Sequence, residues 1–310
     1  MNSSETEIKN VADLFKNLNI SENCLSAESK SFLHKNGYLI IPPTDFIKKN
    51  LENFNKITNN LILKEGHKGG WEGKEKYYVK NRPFEPVAAD SFEVGADRLG
   101  NLVEKHDLFG KLILIPEILI AAKEVIKGEF KISGLNLRNP KKNFGEQAYH
   151  IDWLPREKES EDYSGIVCYI YLEDSNLENG ATRIIPGTHK FLGWPDEHID
   201  TSIKHKDEIR AVVPAGTIII ANLNTWHAGA KNINGKSRKT IFLQIKKRKQ
   251  PALLNYKKFL SEKTKKTLNE AQKYLLSIRE IDFTQKEDSV GPGDMYRKIY
   301  GKDRGAIQKR

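Results

Sequence analysis

The chain lacks most of the features that place a protein quickly. Its two cysteines, Cys24 and Cys168, stand far apart with no second cysteine near either. That excludes a disulfide framework, a redox pair and a cysteine metal knuckle. Long apolar runs are also missing. The longest, Leu112 to Ala122, is interrupted by Pro116 and Glu117, and a bilayer span needs roughly 20 apolar residues. Met1 to Asn10 is polar and partly acidic rather than an apolar leader, and Gln308-Lys309-Arg310 is not a peroxisomal address. No internal repeat is present. A cytoplasmic protein with no membrane segment is the expectation.

An excess of one charge is absent from most of the chain as well. The net charge is +10, yet residues 246–310 hold 18 Lys+Arg against 8 Asp+Glu, so the first 245 residues hold 33 against 33. The excess belongs to the tail, which opens with Lys246-Lys247-Arg248-Lys249 and continues with Leu268, Ala271, Leu275 and Ile278 at helical spacing. We read it as a lysine-rich solvated face packed by one apolar stripe onto the domain. The sharper alternative is an anion-binding surface for a substrate, a partner or RNA.

What is there reads as one domain with enough apolar residues for a core. Val11, Leu14, Phe15 and Leu18 suggest an early helix. Gly37 to Ile41 reads as a strand closed by Pro42-Pro43, and Asp45 to Leu63 as a helix. From Gly66 to Gly95 the periodicity fails, in a long aromatic-containing segment that includes Tyr77 and Tyr78. Such segments are commonly lids. Residues 98–128 read as helical with a break at Pro116. The period then changes to two: strands are expected at Phe130–Arg138, Gln147–Trp153, Gly165–Leu172, Ala181–Ile185, Ile209–Val213, Thr217–Leu223 and Lys239–Lys246. Short strands separated by turns such as Asn179-Gly180 and Asn234-Gly235 indicate a sandwich or barrel.

Within that β region, Gln147–Trp153 carries His150-x-Asp152. On a strand, residues two apart share a face, so an imidazole and a carboxylate lie side by side as metal donors. His227 offers a third ligand. Two histidines and a carboxylate form the facial set of non-haem iron oxygenases, leaving coordination positions open. Between and beyond these come Asn179-Gly180-Ala181-Thr182-Arg183-Ile184-Ile185-Pro186-Gly187-Thr188-His189-Lys190, Pro214-Ala215-Gly216-Thr217, Trp226-His227 and Ser237-Arg238.

This order of motifs closely resembles the phytanoyl-CoA dioxygenase family of Fe(II)- and 2-oxoglutarate-dependent oxygenases, with specific motifs over residues 130–246. Gly216-Thr217 departs from the family's usual Gly-Asp turn. The resemblance implies a mainly β fold with flanking helices and a double-stranded β-helix (jelly-roll, cupin-like) core. Residues 1–128 would form a helical flank with one early strand and the lid loop, 129–246 the core, and 247–310 a basic helical extension. It implies Fe(II) on His150, Asp152 and His227, and 2-oxoglutarate on Arg238, with Tyr169 and Leu135 against it. A guanidinium suits that role because its planar fork pairs bidentately with a carboxylate. Trp153, Tyr77 and Tyr78 would line the substrate pocket, and His189 would be structural. The implied reaction consumes O2 and hydroxylates a C–H bond of a small molecule, with succinate and CO2 as co-products, and the lysine-rich tail favours an anionic substrate. Asp152 argues against halogenation, because related halogenases give that position to chloride. A metal-dependent hydrolase or isomerase with the same ligands, and a non-catalytic basic protein binding nucleic acid, are the competing readings.

Overall fold

The computed structural model describes residues 7–65 and 95–279. The expected lid, with Tyr77 and Tyr78, lies outside the described residues, as does the end of the basic tail. Among the described residues no helix is long and apolar enough to cross a membrane.

Two antiparallel sheets face each other. The larger has six strands in the order β1 (Tyr38–Ile41), β7 (Ile218–Asn222), β4 (Gly165–Tyr171), β9 (Thr240–Lys247), β3 (Phe130–Pro140) and β2 (Ala96–Leu99). The smaller runs β6 (Ile209–Arg210), β5 (Arg183–Ile184), β8 (His227–Ala228). Non-sequential neighbours in two facing antiparallel sheets are the mark of a jelly roll.

Alternation along each strand sorts side chains into layers. In β4, Ile166, Cys168 and Ile170 face outward into one apolar cluster, while Val167, Tyr169 and Tyr171 face inward into another. In β7 the outward pair is Ile218 and Ile220, and the inward pair Ile219 and Ala221. Helices cover the outer face: α1 (Val11–Asn17), α2 (Ala27–Asn36), α3 (Asp45–Glu65), α4 (Leu102–Lys105), α5 (Asp107–Leu112) and α6 (Pro116–Ile126). Pro116 is the first residue of α6, where its missing N–H costs nothing and its fixed φ favours the helix. α2 stops at Gly37, whose φ of 77° is left-handed, and a Cβ there would lie 2.3 Å from the His189 Nδ1. Glycine alone lets the chain turn directly into β1 at that point.

Three expectations need correction. Residues 98–99 belong to β2, paired with β3, rather than to a helix. Gln147–Trp153 is not a strand: only an isolated bridge joins His150 to His227. Its amides go to Gly229, Thr201, His227 and Leu223 carbonyls in turn, so no single neighbour can extend a ladder. Lys246, read both as the last residue of the strand Lys239–Lys246 and as the first of the basic tail, belongs to the strand: it lies inside β9 and is wholly buried.

The described residues after β9 form a lysine-bearing layer of short helices. α7 (Tyr256–Phe259), α8 (Glu262–Thr267) and α9 (Glu270–Leu275) leave Lys257, Lys258, Lys263 and Lys266 exposed. Leu268, Ala271 and Leu275 are buried in the outer cluster, with Ile278 packed against it. Gln272 Nε2 donates to the Gly110 carbonyl (2.7 Å) and Arg248 to the Tyr274 carbonyl (2.9 Å).

Candidate metal centre and co-substrate cradle

The His150–His227 bridge sets the site. His150 N–H donates to the His227 carbonyl (3.0 Å) and His227 N–H to the His150 carbonyl (3.1 Å). This reciprocal pair places both imidazoles on one side, with ring centroids 4.4 Å apart. Asp152 is held by its own amide, which donates to the Leu223 carbonyl (2.9 Å). Its Oδ1 lies 4.0 Å from His150 Nε2 and its Oδ2 3.6 Å from His227 Nε2. One donor atom from each of the three residues lies within 4.8 Å of the others.

The donor set fits a divalent metal in a second respect. His150 Nδ1 is 2.9 Å from the Ala148 carbonyl, and His227 Nδ1 is 2.9 Å from the Thr225 carbonyl. A carbonyl accepts only, so each Nδ1 carries the proton and each Nε2 presents its lone pair toward Asp152. Fixing the tautomer through the far nitrogen is how metal-binding imidazoles are oriented.

Arg238, just before β9, is buried with 3% of its surface exposed. Its Nε donates to the Asn179 carbonyl (3.2 Å) and its Nη1 to Thr182 Oγ1 (3.4 Å), which also accepts from the Tyr171 hydroxyl (3.0 Å). Among the described residues no carboxylate pairs with it, and burial lowers its affinity for its proton. A buried guanidinium without an anion is costly. The position therefore fits an incoming carboxylate. Arg138, on the neighbouring strand and also buried, adds positive potential beside it. Burial and Arg238 lower the Arg138 pKa to about 9. Sequence reasoning missed Arg138, Tyr171 and Thr182; the signal was an arginine on the inward period of β3.

Tyr169 stands beside the ligand cluster. Its ring centroid is 5.7 Å from that of His227 and 5.4 Å from that of Phe242, and its buried hydroxyl has no hydrogen-bond partner among the described residues. Burial, then the nearby Asp152 charge, push its pKa well above the ordinary tyrosine value. Leu135 is not brought to the site. It pairs with Leu243 on the outward face, in the cluster under the helices, because the bulge after Ile132 sets that register. Trp153 is buried in the inner cluster beside Val167 and Tyr169. Tyr149 donates its hydroxyl to Glu208.

His189 is structural. It is buried, its Nε2 sits 3.1 Å from the His34 carbonyl, and burial lowers its pKa to about 4. His34, His106 and His198 are exposed and His205 half-buried, all away from the cluster. A cleft of about 720 Å³ between α3, α5 and the last helices touches none of the site residues.

With this geometry in hand, comparison defines the class. The phytanoyl-CoA dioxygenase family model matches residues 33–240, and the chain belongs to that family. Among curated proteins it is similar to the iron/alpha-ketoglutarate-dependent dioxygenase ausO of Aspergillus calidoustus, 29% identical over 46% of this chain and 50% of that protein. It is also similar to the ectoine dioxygenase of Bordetella parapertussis, 24% identical over 49% and 58% respectively. The chain thus spans about half the length of these two relatives. EctD from S. alaskensis, solved with bound Fe, shares the fold with a TM-score of 0.55 at 16% identity, covering 74% of this chain and 79% of that one. HygX from Streptomyces hygroscopicus, solved with nickel and 2-oxoglutarate, does so at 0.53 and 15%, covering 72% and 87%.

Proposed function

We propose that this chain is an Fe(II)- and 2-oxoglutarate-dependent dioxygenase that hydroxylates a C–H bond of a small-molecule substrate, forming succinate and CO2. The observation that carries the reading is the pairing of two sites on one barrel interior. The three-residue donor set has both Nε2 atoms turned toward Asp152, and the buried Arg238, with no carboxylate partner among the described residues, lies by Thr182 and Tyr171. A hydrolase or isomerase would use the same three ligands but has no need of that guanidinium.

In this reading His150, Asp152 and His227 would hold Fe(II), and iron held there would supply oxygen activation. The Ala148 and Thr225 carbonyls fix which imidazole nitrogen carries the proton. Arg238 receives the distal carboxylate of 2-oxoglutarate, with the Tyr171 and Thr182 hydroxyls beside it and Tyr169 packed along its length. The apolar inner cluster of Val167, Ile219 and Ala221 keeps water from the centre. A cytoplasmic location remains part of the proposal.

The test is anaerobic reconstitution with Fe(II), followed by measurement of succinate released from 2-oxoglutarate under O2, with no primary substrate added. We expect iron-dependent succinate formation that collapses in His150→Ala and Arg238→Ala. Wild-type protein that binds zinc or manganese in preference to iron and releases no succinate would overturn the assignment.

A further inference from the structure

One face of β9 carries Arg238, Thr240, Phe242, Gln244 and Lys246 in alternation. Phe242 marks the level of the candidate metal centre, since its ring packs on Tyr169 and that ring packs on His227. Arg238 lies four residues before it and Lys246 four residues after it, about 13 Å along the strand in each direction. Co-substrate occupies the first side in the reading above. The second side is therefore where a primary substrate would approach.

Lys246 is an unusual wall for that side. Its side chain is wholly buried, and among the described residues its ammonium has no hydrogen-bond partner. The Nζ stands 3.0 Å over the centroid of the Trp153 ring, the residue next to Asp152. An aromatic face attracts a cation but accepts none of its three N–H bonds in the way an oxygen would. Two residues nearer the centre, the buried Gln244 Oε1 also lacks a partner among the described residues. Directly across the ladder, Lys131 is buried as well. A buried ammonium with no oxygen to accept from it, as at Lys246, is expensive unless one arrives.

We propose that Lys246 anchors the primary substrate, a small molecule carrying an oxyanion, either a carboxylate or a phosphate. Gln244 accepts a hydrogen bond from a neighbouring N–H or O–H of the same molecule. Burial, then Lys131, hold the Lys246 pKa well below the ordinary lysine value, and an oxyanion at van der Waals distance reverses that bias. Trp153 forms the floor against which the anion-bearing end lies. The substrate then spans from Lys246 toward the metal centre, with co-substrate extending from the same centre toward Arg238. This inference rests on the oxygenase reading for the words substrate and co-substrate, while the anion site itself does not require it.

The test uses the full chain, with and without Fe(II), under argon and with 2-oxoglutarate saturating. N-acetylglycine supplies a carboxylate and an amide N–H, inorganic phosphate supplies the other oxyanion, and N-acetylglycinamide is the neutral control. Binding is read by calorimetry and by tryptophan fluorescence, to which Trp153 contributes. We expect one oxyanion to bind and change the fluorescence while the neutral amide does not. Lys246→Met, which keeps an unbranched side chain but removes the ammonium, should weaken that binding by about tenfold or more. Lys246→Arg should restore it to within a few-fold. Equal binding by Lys246→Met, equal binding of the neutral amide, or no response to either oxyanion in the wild type overturns the proposal. Succinate formation tests the oxygenase reading and anion binding without turnover tests this one, so each can fail alone.

Discussion

Replacing Arg238 by methionine should move function and stability in different directions. In the folded protein this guanidinium is buried with no carboxylate among the described residues, and its two contacts to Asn179 and Thr182 are long at 3.2 and 3.4 Å. Deleting it leaves the Asn179 carbonyl unpaired, a cost of about 1–3 kcal/mol, but removes a desolvated cation whose burial costs several kcal/mol. The melting temperature should therefore stay level or rise. Affinity for 2-oxoglutarate should collapse. A bidentate guanidinium-carboxylate pair makes two charge-assisted hydrogen bonds of about 1.5–3 kcal/mol each, so its loss weakens binding by roughly a hundredfold to ten-thousandfold. Calorimetric titration of Fe(II)-loaded protein with 2-oxoglutarate under argon reads the affinity, and scanning calorimetry without ligand reads the stability. Arg238→Lys keeps the charge without the fork and should fall between. A methionine variant that melts well below wild type yet binds 2-oxoglutarate normally would refute the reasoning, because Arg238 would then be a structural brace.

Other substitutions probe separate parts of the account. His227→Ala should abolish iron retention measured by metal analysis after desalting, while leaving far-ultraviolet circular dichroism unchanged. His189 has a folded pKa near 4 against an ordinary value of 6.5. The unfolded chain thus takes up the proton first, and this residue's contribution, complete above pH 6.5, shrinks by about 3 kcal/mol as pH falls to 4. In His189→Asn, denaturant melts at pH 7 and pH 4.5 should differ by less than in the wild type, and an unchanged difference would remove His189 as the cause. Leu275, wholly buried in α9, should cost about 2–5 kcal/mol on replacement by alanine, measured by urea unfolding. A loss under 1 kcal/mol would mean that the extension is not part of the cooperative core.

Much of the fold is legible because strands buried on both faces read as short apolar runs bounded by turn residues. Phe130–Arg138, Gly165–Leu172 and Thr217–Leu223 lie close to the observed β3, β4 and β7. The His-x-Asp pair and the distal histidine were visible as types and spacings, although the strand invoked to align them is a bend pinned by carbonyls from several directions. Faces were harder to read. One bulged residue in β3 decides that Leu135 looks toward the helices and Asn136 toward the interior, and a bulge has no pattern of its own in the sequence. β2 was hidden because its Ala-Asp-Arg-Leu has no strand bias without its partner. Lys246 was read both as the end of a strand and as the start of the basic tail, because four consecutive basic residues look alike in sequence, while β9 ends between the first pair and the second.

Each of the paired imidazoles is steadied by an oxygen from its own stretch of backbone, two residues earlier in both cases. The local path of the main chain helps to aim both rings. Substitutions elsewhere in the wall that leave that path intact keep this part of their alignment.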